Sequence, residues 1–345
     1  MTAVYIFANS PGEIYAFVRP FVQTLHTELK GRVIIFVFLT PCQYATGEEL
    51  RVCQGFDGIT HVFPPKKTLS HVFSTNLKPG IVVYLGGDPF YSRRFAKKTS
   101  SLLIGYTENP IAPRQFELLI QKSPKVDLMK SGLSDNMPLS PDGIVLMPGS
   151  RPEHLAVALP LMLRLTESCP FQRTIGLSPF TPDSVYKRIH AQYPDVSVQI
   201  ITDPNGLKAF KYALTIPGTN TMQLAYLGIP YIMILPTHNP DILRMNGLYG
   251  WLIQMPVIGR PLKRLTISIL LRKNRHYSIP NQFFGESVCP EFVGPFDVDT
   301  VSQRIYDFVT DSDAYDTIID RFHSLKSVKS PLSNLIKFID VHAII

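Results

Sequence analysis

Cysteine is scarce in this chain of 345 residues: Cys42, Cys53, Cys169 and Cys289 stand far apart and form no Cys-x-x-Cys pair. That spacing suggests neither a structural zinc site nor a disulfide framework, and it fits a reducing cytoplasm. His61, His71 and His154 likewise show no metal-ligand spacing. Long apolar runs are missing too. The longest, such as Ala213–Ile216 and Tyr231–Leu235, fall far below the roughly 20 residues that a spanning helix needs. The opening MTAVYIFANSPGE has no basic n-region and no long apolar core before a cleavage site, so it reads as a first strand and not as a secretory signal. Charged residues make up only 18% of the chain and hydrophobic ones 45%, which argues against long disorder and leaves ample material for cores. There is no internal repeat and no low-complexity tract; the 30 prolines are scattered as turn punctuation between apolar runs.

Acidic charge is absent over one long interval. Between Asp241 and Glu286 lie Arg244, Arg260, Lys263, Arg264, Arg272, Lys273 and Arg275, interleaved with Trp251, Leu252, Ile267 and Leu270. With a net charge of +7, this mixture suits an anionic membrane surface, although a solvated basic face over an ordinary helix accounts for it equally well. No nucleic-acid module is visible, and no nucleic-acid partner is expected.

What the chain does contain is a repeated alternation of strands and helices. AVYIFA, VIIFVFL, GIVVYLG and SLLIGY are short Val/Ile/Phe-rich runs of the kind a parallel sheet covered on both faces requires. Between the first two, residues 15–30 carry apolar positions at Phe17, Val18, Phe21, Val22 and Leu25, which predicts a helix. A second series follows Pro141: DGIVLMPGSR, QRTIGLS, SVQIIT, YALTIPG and PYIMILP, with helical stretches at 154–168 and 221–227. The expectation is an α/β chain of two doubly wound, Rossmann-like domains facing a cleft. We place the first at 1–139 and the second at 140–296, with a linker inside 133–142 and a helical tail at 297–345 that contacts the first domain.

Two loops of the second half carry the most chemistry. In LMPGSRPEHL, Gly149 and Ser150 follow a strand and Arg151 stands at the mouth of a helix. At the carboxyl end of a doubly wound strand, such a turn offers backbone amides to a phosphate, and Arg151 can add a bidentate charged contact. A plain strand-to-helix turn with a surface arginine reads the same triplet equally well. In TIPGTNTMQLAYLGIP, Gly218, Thr219, Asn220 and Thr221 open a helix, presenting unpaired amides, hydroxyls and the positive end of the helix dipole; Gln223 falls in its first turn. Taken singly these residues are ordinary N-caps. Two such loops in one half favour a nucleotide site.

The order PGSR, then PGT-N-T opening a helix that ends in LGIP, then IPN before Gly-Glu and Pro-Glu, resembles the lipid-A-disaccharide synthase family, in particular its shorter bacterial relatives. In the first half, NSPGE at Asn9–Glu13 stands where that family has a Gly-Glu loop, and LGGDPF at Leu85–Phe90 where it has a Gly-x-Asp segment. The resemblance implies a metal-independent, inverting GT-B glycosyltransferase. Such an enzyme takes a sugar, of an N-acylated glucosamine type, from a UDP-sugar donor, needs no other cofactor, and delivers it to a lipid-linked sugar acceptor. It implies further that Arg151 is required for activity, that Gly218–Thr221 lie at the donor diphosphate, that Asn281 is the asparagine of the Leu-Pro-Asn motif, and that Asp88 is the aspartate of the first half. It also implies a peripheral place on the inner face of the cytoplasmic membrane and a possible homodimer built through C-terminal parts. The chain departs from the family where Gln223 replaces a glutamate suited to the donor ribose, and where Gly12-Glu13-Ile14-Tyr15-Ala16-Phe17 lacks a second glycine and an aspartate.

An inverting transfer needs a base for the acceptor hydroxyl, and Asp88, after an apolar strand and two glycines, is the first candidate, with Glu13 second. Arg151 and the amides of 218–221 are the candidates to stabilise departing UDP. His238 is read as structural. Glu108 and Asn109 are read as lining the acceptor side, and Glu286 and Glu291 as donor contacts or, in preference, solvated turn residues. Phe17, Phe90 and Tyr91 beside the first-half loops lean toward a lipid acceptor. Two other readings remain open: a noncatalytic nucleotide-sugar or lipid-binding protein on the same fold, and a UDP-sugar epimerase.

Overall fold

The computed structural model describes residues 1–343 apart from 44, 75, 136–140, 237–274 and 296. Its contacts divide the chain into two units, Met1–Gly132 with Ser327–Ile345, and Leu133–Lys326. The first boundary thus falls seven residues before the expected 139, and the tail expected as one piece from 297 is divided between the units.

The first unit is a six-stranded, wholly parallel sheet of β1 (Thr2–Ala8), β2 (Val33–Leu39), β3 (Ile59–Phe63), β4 (Ile81–Tyr84), β5 (Leu102–Thr107) and β6 (Leu118–Gln121), in the order β3-β2-β1-β4-β5-β6. The central strands read as continuous apolar runs because helices cover both faces: Val4 to Ala8 and Ile81 to Val83 are all at most 2% exposed. On one side aromatic rings fill the core. Phe7 stacks on Phe38 at 5.0 Å, Tyr5 meets Phe95 edge-on at 5.1 Å, and Phe38 stacks on Phe63 at 4.5 Å. The helix predicted at 15–30 begins differently. A capped turn, Pro11–Glu13, leads into a π-helical turn, Ile14–Val18, before the α-helix Arg19–Glu28.

The second unit repeats the plan with β7 (Ile144–Met147), β8 (Arg173–Leu177), β9 (Ser197–Ile200), β10 (Tyr212–Thr215), β11 (Tyr231–Pro236) and β12 (Glu291–Gly294), again parallel, in the order β12-β11-β10-β7-β8-β9. Ile144, Leu146, Leu214, Ile232 and Ile234 of the sheet pack with Leu159 and Met162 of the helix Pro152–Leu165. The helix Val298–Thr310 adds Val301, Ile305 and Val309 to the same core, a spacing of four that puts all three on one face.

After Lys326 the chain belongs to the first unit. Lys329 takes a strand-like step beside Val126, donating to the Lys125 carbonyl at 2.8 Å and accepting from the Asp127 amide at 3.0 Å. The helix Leu332–His342 then buries Leu335, Ile336 and Ile339, and Asp340 pairs with Arg32. A chain ended after Lys326 is therefore expected to lose at least about 4.5 kcal/mol from the first unit, since each of these three buried aliphatic side chains contributes about 1.5–3 kcal/mol. Amide hydrogen exchange checks this: protection should fall in β1 and β4 and stay unchanged in β7 and β10. Equal protection in both sheets would contradict the assignment.

Candidate functional site

In each sheet the chain runs outward from a first strand in one direction and then restarts in the other. The reversal falls between β1 and β4 in the first unit and between β7 and β10 in the second. At such a switch point the two connections leave on opposite faces, so the carboxyl ends of the flanking strands stay uncovered and open to a ligand. All four glycine-bearing loops singled out in the sequence sit there.

In the first unit, Ser10 and Glu13 form a capping box after β1: the Glu13 amide donates to Ser10 Oγ at 3.3 Å and the Ser10 amide donates back to Glu13 Oε2 at 3.2 Å. The same oxygen accepts from the Asn9 amide at 3.1 Å, while Oε1 accepts from the Gly87 amide beyond β4 at 3.2 Å. One carboxylate thus ties the two strand-end loops together. The fit leaves no room for a side chain at Gly86, where a Cβ would stand 2.1 Å from Glu13 Cδ. Burial pushes the Glu13 carboxyl above its usual range, the negative charge of Glu108 adds to the rise, and the three backbone donors oppose it. Gly87 turns with φ +78° and accepts from the Tyr84 hydroxyl at 2.8 Å; burial pushes that phenol up to about 12.

Asp88, by contrast, is exposed. It is the N-cap of the helix Pro89–Thr99, with Oδ1 accepting from the Phe90 amide at 2.8 Å. Beyond β5, Glu108 pairs with Lys122 at 2.7 Å. Lys122 also reaches Asp127 at 3.1 Å, and Asp127 accepts from the Tyr106 hydroxyl at 3.1 Å. Burial alone would lower the Lys122 pKa, but the two carboxylates prevail and raise it. Nothing in the sequence singled out Lys122 or Asp127, because each lies in an unremarkable context and they meet only through the fold.

In the second unit, Gly149 follows β7 with φ +97°, and a Cβ there would lie 2.7 Å from Ile216 Cδ1 at the end of β10. Ser150 and Arg151 are half-buried, and Arg151 is the N-cap of the helix Pro152–Leu165. Across the switch point, Gly218 is exposed and Thr219 and Asn220 are half-buried at the start of the helix Thr219–Tyr226. Asn220 Nδ2 donates to Thr215 Oγ1, which holds the turn onto its strand. Thr221 is fully buried. Its hydroxyl donates to the Gly218 carbonyl at 2.8 Å and accepts from the Ile279 amide at 3.3 Å. Gln223 is also buried, at 5% exposure.

Asn281 has no exposed surface, and both ends of its amide are engaged: Oδ1 accepts from the Val288 and Cys289 amides, each at 3.0 Å, and Nδ2 donates to the Cys289 carbonyl at 2.8 Å and to Glu291 at 2.9 Å. Glu291, read from the sequence as a solvated turn residue, instead accepts from the Tyr277 and Ser278 amides at 2.9 and 2.7 Å. Together they set the loop and the short helix Ile279–Phe284, whose first amide meets Thr221. Thr221 and Asn281 therefore shape the Gly218 turn from behind. Of the other candidates in these two turns, Gly218 is exposed and Gly149, Ser150, Arg151, Thr219 and Asn220 are half-buried. Glu286 pairs with Arg321. His238 and the basic stretch from Arg244 to Lys273 lie outside the described residues. Among the described residues no cluster of His, Cys, Asp and Glu could hold a metal ion, and no helix is long and apolar enough to cross a membrane.

No family description and no curated protein matches the chain by sequence. Solved structures do match by shape. MurG from Acinetobacter baumannii is similar over 99% of this chain and 99% of its own, with a TM-score of 0.53 at 11% identity. The spinosyn rhamnosyltransferase SpnG is similar over 98% of this chain and 100% of its own, with a TM-score of 0.54 at 11% identity. The calicheamicin glycosyltransferase CalG4 is similar over 99% and 98%, with a TM-score of 0.53 at 11% identity. The chain has the GT-B fold.

The raised Glu13 carboxyl gives a signed expectation. A folded-state pKa above the unfolded value means that its stabilising contribution is complete below the unfolded glutamate value, about 4.3, and is lost as pH rises through the folded value. The stability difference between wild type and Glu13→Gln, read from urea midpoints of the first unit, should therefore move in favour of wild type as pH falls from neutral toward 4. A difference independent of pH would contradict the burial of this carboxylate.

Proposed function

We propose that the chain is an inverting, metal-independent glycosyltransferase related to lipid-A-disaccharide synthase. It moves a sugar of the N-acylated glucosamine type from a UDP donor to a lipid-linked acceptor, working peripherally on the inner face of the cytoplasmic membrane. The observation that carries this reading is the pair of turns at the second switch point, Gly149–Arg151 and Gly218–Asn220, which place two glycines, hydroxyls, a helix start and a guanidinium at the carboxyl end of one sheet.

The diphosphate of the donor takes the amides at the start of the helix Thr219–Tyr226, where the aligned peptide dipoles favour negative charge. Gly149 and Gly218 let the phosphate oxygens approach the main chain, and Arg151 adds a permanent positive charge. As the bond from the anomeric carbon to the diphosphate oxygen breaks, negative charge grows on departing UDP. These fixed donors stabilise it without reorganising. Asp88 takes the proton of the acceptor hydroxyl while that oxygen bonds to the anomeric carbon from the opposite face. Its exposure and its place at the carboxyl end of β4 support that role over Glu13, whose oxygens are engaged by three backbone amides. Glu13 then serves as a positioning residue that sets the loop carrying Asp88.

Titration calorimetry with UDP tests the donor half. Wild type is expected to bind in the micromolar range, Arg151→Ala and Gly218→Val to lose at least about 1.4 kcal/mol, a factor of ten, and Asp88→Asn to bind like wild type yet fail to transfer sugar. A folded protein that binds no UDP would overturn the reading and favour a noncatalytic descendant of the fold, for which Gln223 in place of a ribose-binding glutamate is the specific sign.

A further inference from the structure

The helices Pro65–Phe73 and Pro89–Thr99 pack against each other in the first unit, and neither contains an acidic residue. Lys66, Ser70 and Phe73 follow the i, i+4, i+7 spacing of one face of the first helix. Phe90, Arg94, Lys97 and Lys98 follow the same pattern on the second, and all seven are exposed. The two faces are joined into one surface. Phe73 and Phe90 lie 6.3 Å apart, the Arg94 guanidinium sits 4.6 Å over the Phe73 ring, and Lys98 Nζ donates to the Phe73 carbonyl. Phe73 and Phe90 are 49% and 48% exposed, among the most exposed large hydrophobic side chains in the described residues.

We propose that this surface, centred on Phe73 and Phe90 and carrying Lys66, Arg94, Lys97 and Lys98, docks the first unit onto an anionic lipid bilayer. Two exposed rings beside four cations, with no carboxylate on either helix, complement a surface of acyl chains below phosphate headgroups. The rings enter the interface while the long basic side chains reach the phosphates. The placement has a functional consequence that rests on the transferase reading above. Phe90 is the second residue after Asp88, and its amide is bonded to the Asp88 carboxylate. A membrane held at Phe90 therefore lies beside the base, where the sugar of a lipid-linked acceptor would project from the headgroups. Its residues are different ones from the basic segment 244–275 that the sequence suggested for the same task.

Vesicle flotation of the full chain tests it, with phosphatidylcholine vesicles alone and with half the lipid replaced by phosphatidylglycerol. Wild type should float with the anionic vesicles only, and less well in 1 M salt, where the screening length shrinks to about 3 Å. Lys97→Gln and Lys98→Gln should each weaken partitioning roughly five-fold, and Phe73→Ser roughly ten-fold, all three with UDP affinity unchanged. Flotation of the variants equal to wild type, equal flotation with neutral vesicles, or no flotation would overturn the proposal. Tighter binding to polyuridylate than to anionic vesicles, lost in the same variants, would assign the surface to nucleic acid instead. Loss of UDP binding by wild type would sink the transferase reading while leaving a positive flotation result standing.

Discussion

The reversal of strand order beside the first strand of each sheet is the constraint on which the rest of this molecule depends. Crossovers between parallel strands run over the faces of the sheet, and where they diverge to opposite faces the strand ends between them stay uncovered. The turns after β1, β4, β7 and β10 occupy those places. Two of them carry glycine where another element comes close: Gly86 under the Glu13 carboxylate, Gly149 against Ile216. A side chain at either position would force the paired loops apart.

Around these ends the polar residues divide into those that hold and those that face outward, and burial draws the line. A buried polar group must have its partners nearby or cost free energy comparable to a lost hydrogen bond. Asn281, Glu291, Thr221 and Asp127 meet that requirement with backbone amides, carbonyls and one another. Glu13 does the same between two loops and so braces them. Asp88 and Arg151 sit at helix N-caps beside the same turns with exposed or half-exposed side chains.

The sequence made the two-unit α/β plan legible because parallel strands buried on both faces write themselves as short runs rich in apolar residues, as β1, β2, β4, β5, β7 and β11 do. It was less informative at β3, β6 and β12. These are edge strands: ITHVF carries two exposed polar residues, and LLIQ and EFVG are only four residues long and partly exposed. The tail showed helices but not their division, since Val301, Ile305 and Val309 look like Leu335, Ile336 and Ile339 until a core is assigned to each.

For the candidate site, the local pattern alone singled out the turns: small residues between a strand and a helix leave amides unpaired, and the Gly149 and Gly218 loops follow from that. Which side chains in those turns face outward was decided only by the tertiary structure. Asn281 reads as a ligand-binding asparagine in one dimension and is fully enclosed in three. Glu291 reads as a solvated turn and proves to be the acceptor for Tyr277 and Ser278. Phe73 and Phe90, separated by 16 intervening residues in the chain, share a surface because two helices on one sheet face happen to touch there. Covalent neighbours set backbone geometry over a few residues. The partners that satisfy or expose a polar or aromatic group come from distant segments, and those are brought together by the sheet.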